Sequence, residues 1–484
     1  MSSKKILLSN FSWKFAERIC AQIVTFVVSI ILARLLSPDD DGAIALVTVF
    51  ITLANVLVSD GLGSALIQKK EVDTKDYSTI FYANLAMSVM IYFLLFFGSP
   101  LIAKFYNMPI LDPATKVLAL KVPLAAINSV QQAYVSRHMI FKKFFFSTII
   151  GTLASAVVGI VMAYTGFGIW SLVAQYLFNS VVDTIVLWIT VKWRPTKEFS
   201  IIKLKQLLSY GWKILAVGLL TSLYNEIRTL IIGKVYSSSD LAYYERGNKF
   251  PHIFITNVNA AITSVLFPFA SRVQDNRIKL KQYTKLSISV GAYVMSPLMI
   301  GLACTSDSVV RLLLTEKWID CIPYLRIFCI AYLLIPMQTA NIQAIKASGR
   351  SDIYLKIEMI KKIIGLLLLA VAIPFGVKAI AISAAISSFV NSVVNAFPNR
   401  KLLDYSYFEQ VQDLAPSIAM SIAMGILVWS ASYLNLNIIL QLVVQLFIGV
   451  TSYVLLSVLF KNKNFFMLWG IAKEVLLKKR GASR

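Results

Sequence analysis

The sequence predicts an all-α integral membrane protein with about 14 transmembrane helices. Of its 484 residues, 57% are hydrophobic and 15% are charged, and the mean hydropathy is +0.71. Soluble domains are less apolar than this. Apolar runs of about 20 residues recur along the chain, which is the length that a helix needs to cross a bilayer. The connections between these runs alternate between base-rich and base-poor, as loops on the two sides of a membrane do.

The apolar runs and the polar or glycine-containing breaks between them place the predicted helices near 11–35, 42–67, 79–104, 114–138, 145–165, 168–191, 210–235, 242–273, 284–304, 323–347, 354–374, 378–399, 414–434 and 437–460. Two connections are longer than the others. A basic amphipathic linker at 192–209 is expected to lie at the headgroups. Within 305–322, the segment from Val309 to Trp318 is expected to form a short helix at the outer interface, with Trp318 in the aromatic belt.

The distribution of charge predicts the topology. Connections 37–41, 165–167 and 237–240 are short and poor in base, whereas 69–75, 192–205 and 272–285 are rich in Lys and Arg. Positive charge marks the cytoplasmic side, so both termini are predicted to be cytoplasmic. The net charge of +23 is explained in this way, because the basic residues lie between the spans. Nucleic acid is therefore not an expected partner.

A polar stripe occurs twice. Thr48, Thr52, Asn55 and Ser59 share one helix face, and His252, Thr256, Asn259 and Thr263 repeat that spacing 204 residues later. Six helices per repeat predict parallel lobes related by an axis along the membrane normal, with a substrate site between them. The predicted organisation is a six-helix lobe at 1–191, the linker at 192–209, a second six-helix lobe at 210–400, and two more helices with a basic cytoplasmic tail at 401–484.

Charged residues on polar faces within the spans are the candidate site residues. One charge at mid-bilayer costs about 2.5–3.5 kcal/mol, a cost that a water-filled central cavity removes. Basic groups lining it would bind a diphosphate or acidic sugars. The predicted cavity-lining residues are Arg18, Gln22, Asn55, Arg228, Arg246, Lys249 and Asn259. A near-interface cluster explains Arg246 and Lys249 equally well.

The acidic residues within the spans have other expected roles. Glu17 and Glu226 are interpreted as salt-bridge partners of the arginines, with an ion or proton site as the alternative. Asp60 and Asp183 are candidates for cation coupling. Four cysteines lack the spacing of a metal or redox motif, and two histidines exclude a His-rich metal site. No cofactor and no catalytic residue is expected.

Two segments resemble a known family. The run GLGSALIQ at 61–68, followed by a charged loop and YSTIF at 77–81, is similar to the first third of Wzx-type polysaccharide exporters. The segment LTEKW at 314–318, continuing through Pro323, resembles their outer loop between the ninth and tenth helices. These exporters belong to the multidrug/oligosaccharidyl-lipid/polysaccharide flippase superfamily, and the similarity is greatest to the colanic-acid and teichuronic-acid types.

The resemblance implies a transporter in the bacterial cytoplasmic membrane. It would move a polyprenyl-diphosphate-linked oligosaccharide, such as an exopolysaccharide or O-antigen repeat unit, from the cytoplasmic to the outer leaflet. Polysaccharide polymerase and chain-length machinery are candidate partners. An ion-coupled multidrug antiporter of the same superfamily is the alternative, although it would need an acidic cavity. A membrane polysaccharide polymerase or ligase is a further, less favoured alternative, because such an enzyme would need a large outer loop. The chain contains no GxxxxGK[ST] motif, so it is not expected to hydrolyse nucleotide itself.

Overall fold

The computed structural model describes the backbone of residues 3–68, 72–434 and 436–481, and the side-chain surroundings of 18–58, 63, 66, 72–209, 211–434, 436–471 and 473–474. Within those residues the protein is helical and contains no strand. The chain forms two compact units, Met1–Ala242 and Tyr243–Arg484. The predicted all-α membrane fold is therefore confirmed.

The first unit contains eight helices and the first turn of a ninth. They are Ser3–Leu35 (α1), Pro38–Gln68 (α2), Thr74–Tyr106 (α3), Leu111–Leu118 (α4), Lys121–Arg137 (α5), Phe141–Tyr164 (α6), Ile169–Thr190 (α7), Ile201–Val235 (α8) and Ser238–Arg272 (α9). Within this unit α1 packs along α6, α6 along α7, and α2 along both α5 and α8.

The second unit continues from α9. Its helices are Arg277–Cys304 (α10), Ser306–Leu314 (α11), Ile322–Tyr332 (α12), Ile335–Ala347 (α13), Ser351–Ala372 (α14), Val377–Leu402 (α15), Tyr407–Ser430 (α16), Ile438–Leu459 (α17) and Lys463–Gly481 (α18). The strongest packing joins α10 to α16 and α14 to α15. The predicted short helix near 309–318 is α11 followed by a 3₁₀ turn, Glu316–Cys321.

Twelve helical stretches among the described residues are long and apolar enough to cross a membrane, by length and composition. The other two predicted spans differ from this standard for physical reasons. The span predicted at 114–138 is divided into α4 and α5, where Leu120 N–H donates to Val117 O (3.2 Å) and Val122 N–H to Ala119 O (2.9 Å) in the tighter 3₁₀ pattern. The span predicted at 354–374 is the single helix α14, which carries several charged residues.

The boundary between the compact units lies inside α9, whereas the predicted lobes divide at the 192–209 linker. The difference arises because α8, expected to begin the second lobe, packs along α2 in the first unit. The predicted lobe boundaries were inferred from the internal repeat, whereas the compact units are defined by contacts. The two lobes therefore stay a prediction. The linker itself is irregular up to Ser200, and α8 begins at Ile201.

The starts of α2 and α9 use the same capping arrangement, which supports the internal repeat. Ser37 Oγ donates to Asp40 Oδ2 (2.7 Å), and Asp40 N–H donates back to Ser37 Oγ (3.2 Å). Ser237 and Asp240 make the same two bonds at 2.6 and 3.1 Å. Each serine hydroxyl satisfies an N–H group that the helix start leaves without a partner.

Basic side chains from neighbouring segments bind the carboxyl ends of several helices. Arg137 Nη1 donates to Leu66 O of α2 (3.1 Å), Lys143 Nζ to Thr190 O of α7 (2.5 Å), and Arg277 Nη2 to Lys401 O of α15 (2.7 Å). Cations are favourable there because the last carbonyls carry partial negative charge. Part of the net positive charge therefore stabilises helix ends.

Candidate functional site

The close antiparallel packing of α2 on α8 positions two predicted site residues. A Cβ at Gly233 of α8 would lie 2.5 Å from Leu46 Cδ2 of α2, so the two helices approach closely there, and one at Gly42 would lie 1.9 Å from Ser238 O at the start of α9. The contact of Gly233 with Leu46 fixes the register along the α2–α8 pair. Continued at about 1.5 Å per residue, that register places Asn55 about one turn from the level of Arg228.

Arg228 has unsatisfied hydrogen-bonding capacity. Its side chain is half-buried on α8, and its Nε is buried with no hydrogen-bond partner among the described residues. The predicted salt bridge is not seen, because none of the ion pairs among the described side chains involves Glu226. Asn55 Oδ1 is likewise buried, with no hydrogen-bond partner in the part of the chain that the structure describes. An arginine in this condition can still donate to a carboxylate or phosphate.

The other candidates of the first unit lie on different helix pairs. Arg18 is exposed and Gln22 is half-buried on α1, the helix that packs along α6. Asp183 is half-buried at the α6–α7 contact, where Ser147 Oγ donates to its carboxylate and to its carbonyl oxygen (3.1 Å to the latter). The side chains of Glu17 and Asp60 lie outside the described residues. The structure thus brings Asn55 toward Arg228, whereas the described part of α1 packs along α6.

A polar contact joins the start of α9 to the start of α2. The Asp39 carboxylate accepts hydrogen bonds from the hydroxyls of Ser238 and Ser239, the latter at 2.6 Å. Beside it, Lys234 Nζ donates to Phe105 O and lies 4.4 Å from the centre of the Phe105 ring. These interactions hold the base-poor ends of α2, α3, α8 and α9 together, and we call the Asp39–Ser238–Ser239 contact the serine latch.

In the second unit, Arg246 packs inside the protein. Its side chain is 5% exposed and its guanidinium lies 4.8 Å from the centre of the Trp318 ring. Trp318 is itself fully buried, so its predicted place in an aromatic belt is wrong: the indole covers a buried arginine instead of facing lipid headgroups. Lys249 is exposed on α9.

The polar stripe of α9 bonds to α13 over part of its length. Asn259 Oδ1 accepts from Thr339 Oγ1 (2.9 Å), and Thr263 Oγ1 accepts from Gln343 Nε2 (3.4 Å). Asn259, predicted to line a cavity, therefore already has a helix partner in this conformation. Polar pairs of this kind fix the register of neighbouring membrane helices.

Sequence reasoning missed a buried amide network in the second unit. Asn341 Nδ2 donates to Gln410 Oε1 (2.7 Å), and Asn399 Nδ2 donates to Asn341 Oδ1 (2.6 Å), with all three side chains fully buried. No pattern in the sequence links positions 341, 399 and 410. Sequence reasoning also overlooked the charged residues in the middle of α14. Four of them fall within seven positions of the span predicted at 354–374, so the sequence could have revealed them.

No metal centre is formed in the described part of the chain. There, no three His, Cys, Asp or Glu side chains come together in a way that could hold a metal ion. All four cysteines are free thiols.

Comparison with known proteins places the chain in a family. The model of the family described as "Polysaccharide biosynthesis protein" matches residues 31–323, more than half of the chain. The protein belongs to this family. The predicted resemblance to polysaccharide exporters is thereby confirmed at the level of the family, and the protein is a multi-pass membrane protein of that family.

Individual relatives agree with this assignment. The chain is 24% identical over 463 residues to the teichuronic acid biosynthesis protein TuaB of Bacillus subtilis (strain 168), covering 93% of this chain and 94% of that protein. It is 25% identical over 349 residues to the succinoglycan biosynthesis transport protein ExoT of Rhizobium meliloti (strain 1021), covering 72% of this chain and 71% of that protein.

Solved structures show the same fold. The lipid II flippase MurJ in an inward closed conformation superposes with a TM-score of 0.76 at 14% identity, covering 93% of this chain and 98% of that chain. An inward-facing multidrug resistance MATE transporter of the MOP superfamily gives a TM-score of 0.62 at 16% identity, covering 79% of this chain and 94% of that chain. The fold is therefore that of the MOP transporters.

Proposed function

We propose that this protein flips a polyprenyl-diphosphate-linked oligosaccharide from the cytoplasmic to the outer leaflet of the bacterial cytoplasmic membrane. Membership of the polysaccharide biosynthesis family is the observation that carries the proposal. It is supported by relatives whose names connect them with teichuronic acid and with succinoglycan transport, and by a fold shared with a lipid II flippase. In this account the chain transports and does not catalyse, both termini are cytoplasmic, and polymerase and chain-length machinery act on what it delivers.

The proposed mechanism is alternating access. The serine latch and the close approach of Gly42 to Ser238 fasten the starts of α2 and α9 in this conformation. If the transporter releases its substrate on the side of the membrane where the starts of α2 and α9 lie, it has to break this contact during the cycle. Hydroxyl–carboxylate bonds suit such a contact, because water replaces them at small net cost when they part.

Arg228 and Arg18 are the proposed contacts for the anionic part of the substrate. The assignment of Arg228 is supported by its buried Nε, which has no partner among the described residues. The assignment of Arg18 is supported by its exposed side chain, which lies one-third of the way along the expected span. A guanidinium binds a phosphate through two parallel bonds, which an ammonium cannot do. Asn55, Gln22, Arg246, Lys249 and Asn259 remain proposed lining residues. Asp183 and Asp60 remain proposed coupling sites.

The test is export in an exporter-null strain. Arg228→Gln and Arg18→Gln are expected to accumulate in the membrane and yet to stop polymer export, whereas Arg228→Lys is expected to restore it in part. Arg34→Gln is the matched control, because Arg34 is exposed at the far end of α1 and should be dispensable. Full export by both glutamine variants would exclude the two arginines as substrate contacts.

The MATE-like fold leaves an ion-coupled multidrug antiporter as the second candidate. Antiporters of cationic drugs need acidic residues in their binding site, whereas basic residues predominate among the candidates here. Export of a cationic dye by purified, reconstituted protein would favour the antiporter. Dependence of export on Arg228 would favour the flippase.

A further inference from the structure

The linker between the two predicted lobes carries basic side chains that have no partner in the described part of the chain. Residues 192–209 contain five basic residues and one acidic residue, which gives a net charge of +4. Arg194 donates hydrogen bonds to backbone carbonyls at the end of α7 (2.6 Å), and Lys203 pairs with Asp73 before the start of α3. The other three lysines are exposed, with neither a hydrogen bond nor an ion pair among the described residues: Lys192, Lys197 and Lys205.

Basic residues at another base-rich connection have carboxylate partners within the protein. In the stretch 272–285, Lys281 Nζ lies 3.3 Å from Glu409 Oε1. One turn later, Lys285 Nζ lies 2.8 Å from Asp413 Oδ1. Membrane topology requires only that positive charge lies on one side, so paired and unpaired lysines serve it equally well. The three unpaired lysines of the linker can in addition bind an anion from outside the protein.

The linker has a fixed position on the first unit. Thr196 N–H donates to Ser78 Oγ (2.9 Å). Ser200 N–H donates to Thr79 Oγ1 (3.2 Å), so both acceptors lie in the first two turns of α3. Trp193 is buried in the apolar core of the unit. The three unpaired lysines therefore extend from an ordered surface and not from a free end of the chain.

The first turns of α8 expose apolar side chains where the linker ends. Leu204 and Leu207 face the first unit and pack in its core. Three residues on the other side of the helix are between 41% and 71% exposed: Ile201, Ile202 and Leu208. The 3.6-residue period places Lys205 on that same exposed side. This segment of α8 therefore combines an uncovered apolar surface with positive charge.

The same helix continues from this segment into a membrane span. The part of α8 that is long and apolar enough to cross a membrane is Gly211–Val235. The turns just before Gly211 therefore approach the level of the lipid headgroups. Apolar side chains at that level enter the boundary between headgroups and acyl chains, and lysines bind the phosphates of anionic lipids. Water would satisfy the lysines but would leave the apolar surface exposed.

We propose that the linker and the first turns of α8 form a docking surface for anionic phospholipid in the cytoplasmic leaflet. The three unpaired lysines bind headgroup phosphates, and the exposed apolar side of α8 contacts the upper part of the acyl chains. The inference rests on the predicted cytoplasmic position of the linker and not on transport. A lysine near an anionic membrane surface strengthens binding about fivefold. Three lysines, partly screened by salt, should therefore favour anionic over neutral lipid about tenfold or more.

Quenching of a fluorescent label by spin-labelled lipid tests the proposal in the purified full-length protein. Ser209 is exposed one turn after Lys205, so Ser209→Cys, in protein lacking the four native cysteines, carries the label on this surface. Nanodiscs of phosphatidylcholine contain increasing fractions of doxyl-labelled phosphatidylglycerol or doxyl-labelled phosphatidylcholine. Half-maximal quenching is expected to need about tenfold less phosphatidylglycerol than phosphatidylcholine. Salt at about 1 M should remove most of this preference, because it screens charges beyond about 3 Å.

Replacing the three unpaired lysines by glutamine should abolish the preference while both lipids still quench the label, because the apolar contact remains. The matched control is Lys279→Gln/Arg400→Gln/Lys401→Gln, which removes three exposed positive charges from other base-rich connections and should keep the preference. Melting temperatures close to that of the labelled parent show that both variants are folded.

Several results would overturn the proposal. Equal quenching of the parent by both lipids would show that the surface does not select anionic lipid, and no quenching by either would show that it does not meet lipid. A preference kept by the lysine variant, or lost equally by the control, would show that the linker lysines are not its source. None of these measurements depends on transport. A protein that prefers phosphatidylglycerol here and does not move lipid-linked oligosaccharide would refute the proposed function and leave the docking surface intact.

Discussion

Replacing Gly42 by alanine should weaken the contact between the starts of α2 and α9. A Cβ at this position would lie 1.9 Å from Ser238 O, whereas ordinary contacts are 3.4 Å or more, so the two segments have to move apart by about 1.5 Å. The obstructing atom belongs to the backbone and cannot rotate away. Overpacking of this kind costs about 1–3 kcal/mol. The same displacement separates Asp39 from the hydroxyls of Ser238 and Ser239.

A cost of 1–3 kcal/mol to one conformation corresponds to a shift of about 5- to 150-fold in a two-state equilibrium. The assay is the yield of a disulfide between Asp39→Cys and Ser239→Cys in protein lacking the four native cysteines. Gly42→Ala should lower that yield severalfold. Gly63→Ala is the control, since it lies on the same helix with no atom within 4 Å of its Cβ and should leave the yield unchanged. Equal yields for Gly42→Ala and the parent would refute the close approach of the starts of α2 and α9.

Three further predictions concern stability and topology. The hydrogen bond from Lys203 holds the pKa of Asp73 down at about 2. The stability that this pair contributes, under about 1 kcal/mol because the pair is so exposed, should therefore disappear as the pH falls from about 4 toward 2. Between pH 5 and pH 3, the melting temperature of Lys203→Gln should fall by less than that of wild type. Asn341→Ala removes the donor to Gln410 Oε1 and the side-chain acceptor of Asn399 Nδ2, so it should lower the free energy of unfolding by about 1–2 kcal/mol, whereas an unchanged melting temperature would contradict the network. Single cysteines at Lys197 and Lys279 should be labelled from the cytoplasm and one at Ser237 from outside, and labelling of Ser237 from the cytoplasm would reverse the topology.

The sequence predicted the helices well because a membrane span is a continuous apolar segment, which can be recognised from the sequence alone. A span must be apolar for about 20 residues, and loops such as 37–41 and 237–240 interrupt that pattern clearly. The divisions inside spans were not visible. Hydropathy continues across Ala119–Leu120, where α4 ends and α5 begins, because the break there is only a local tightening of hydrogen bonds. Similarly, Leu333–Leu334 continues the apolar run although α12 and α13 are separate helices.

Side-chain partners were harder to predict than helices. The spacing of Asn259 correctly places it on the polar face of α9, but spacing does not distinguish a residue that meets water from one that meets Thr339. Trp318 illustrates the same limit: an aromatic residue beside a loop reads as an interface anchor, and only tertiary packing shows that it covers Arg246. Arg228 and Glu226 are two positions apart, which on a helix points them in different directions, so proximity in sequence did not give an ion pair.

The most direct test of the central claim is flipping of a defined substrate by the purified protein. A polyprenyl-diphosphate oligosaccharide with a fluorescent sugar is incorporated into both leaflets of proteoliposomes, and dithionite added outside then bleaches what it can reach. Wild-type protein is expected to make the inner-leaflet pool accessible over time, and Arg228→Gln is expected to do so much more slowly. Bleaching that stops at the outer-leaflet pool, as in protein-free vesicles, while the inserted protein remains folded, would contradict it.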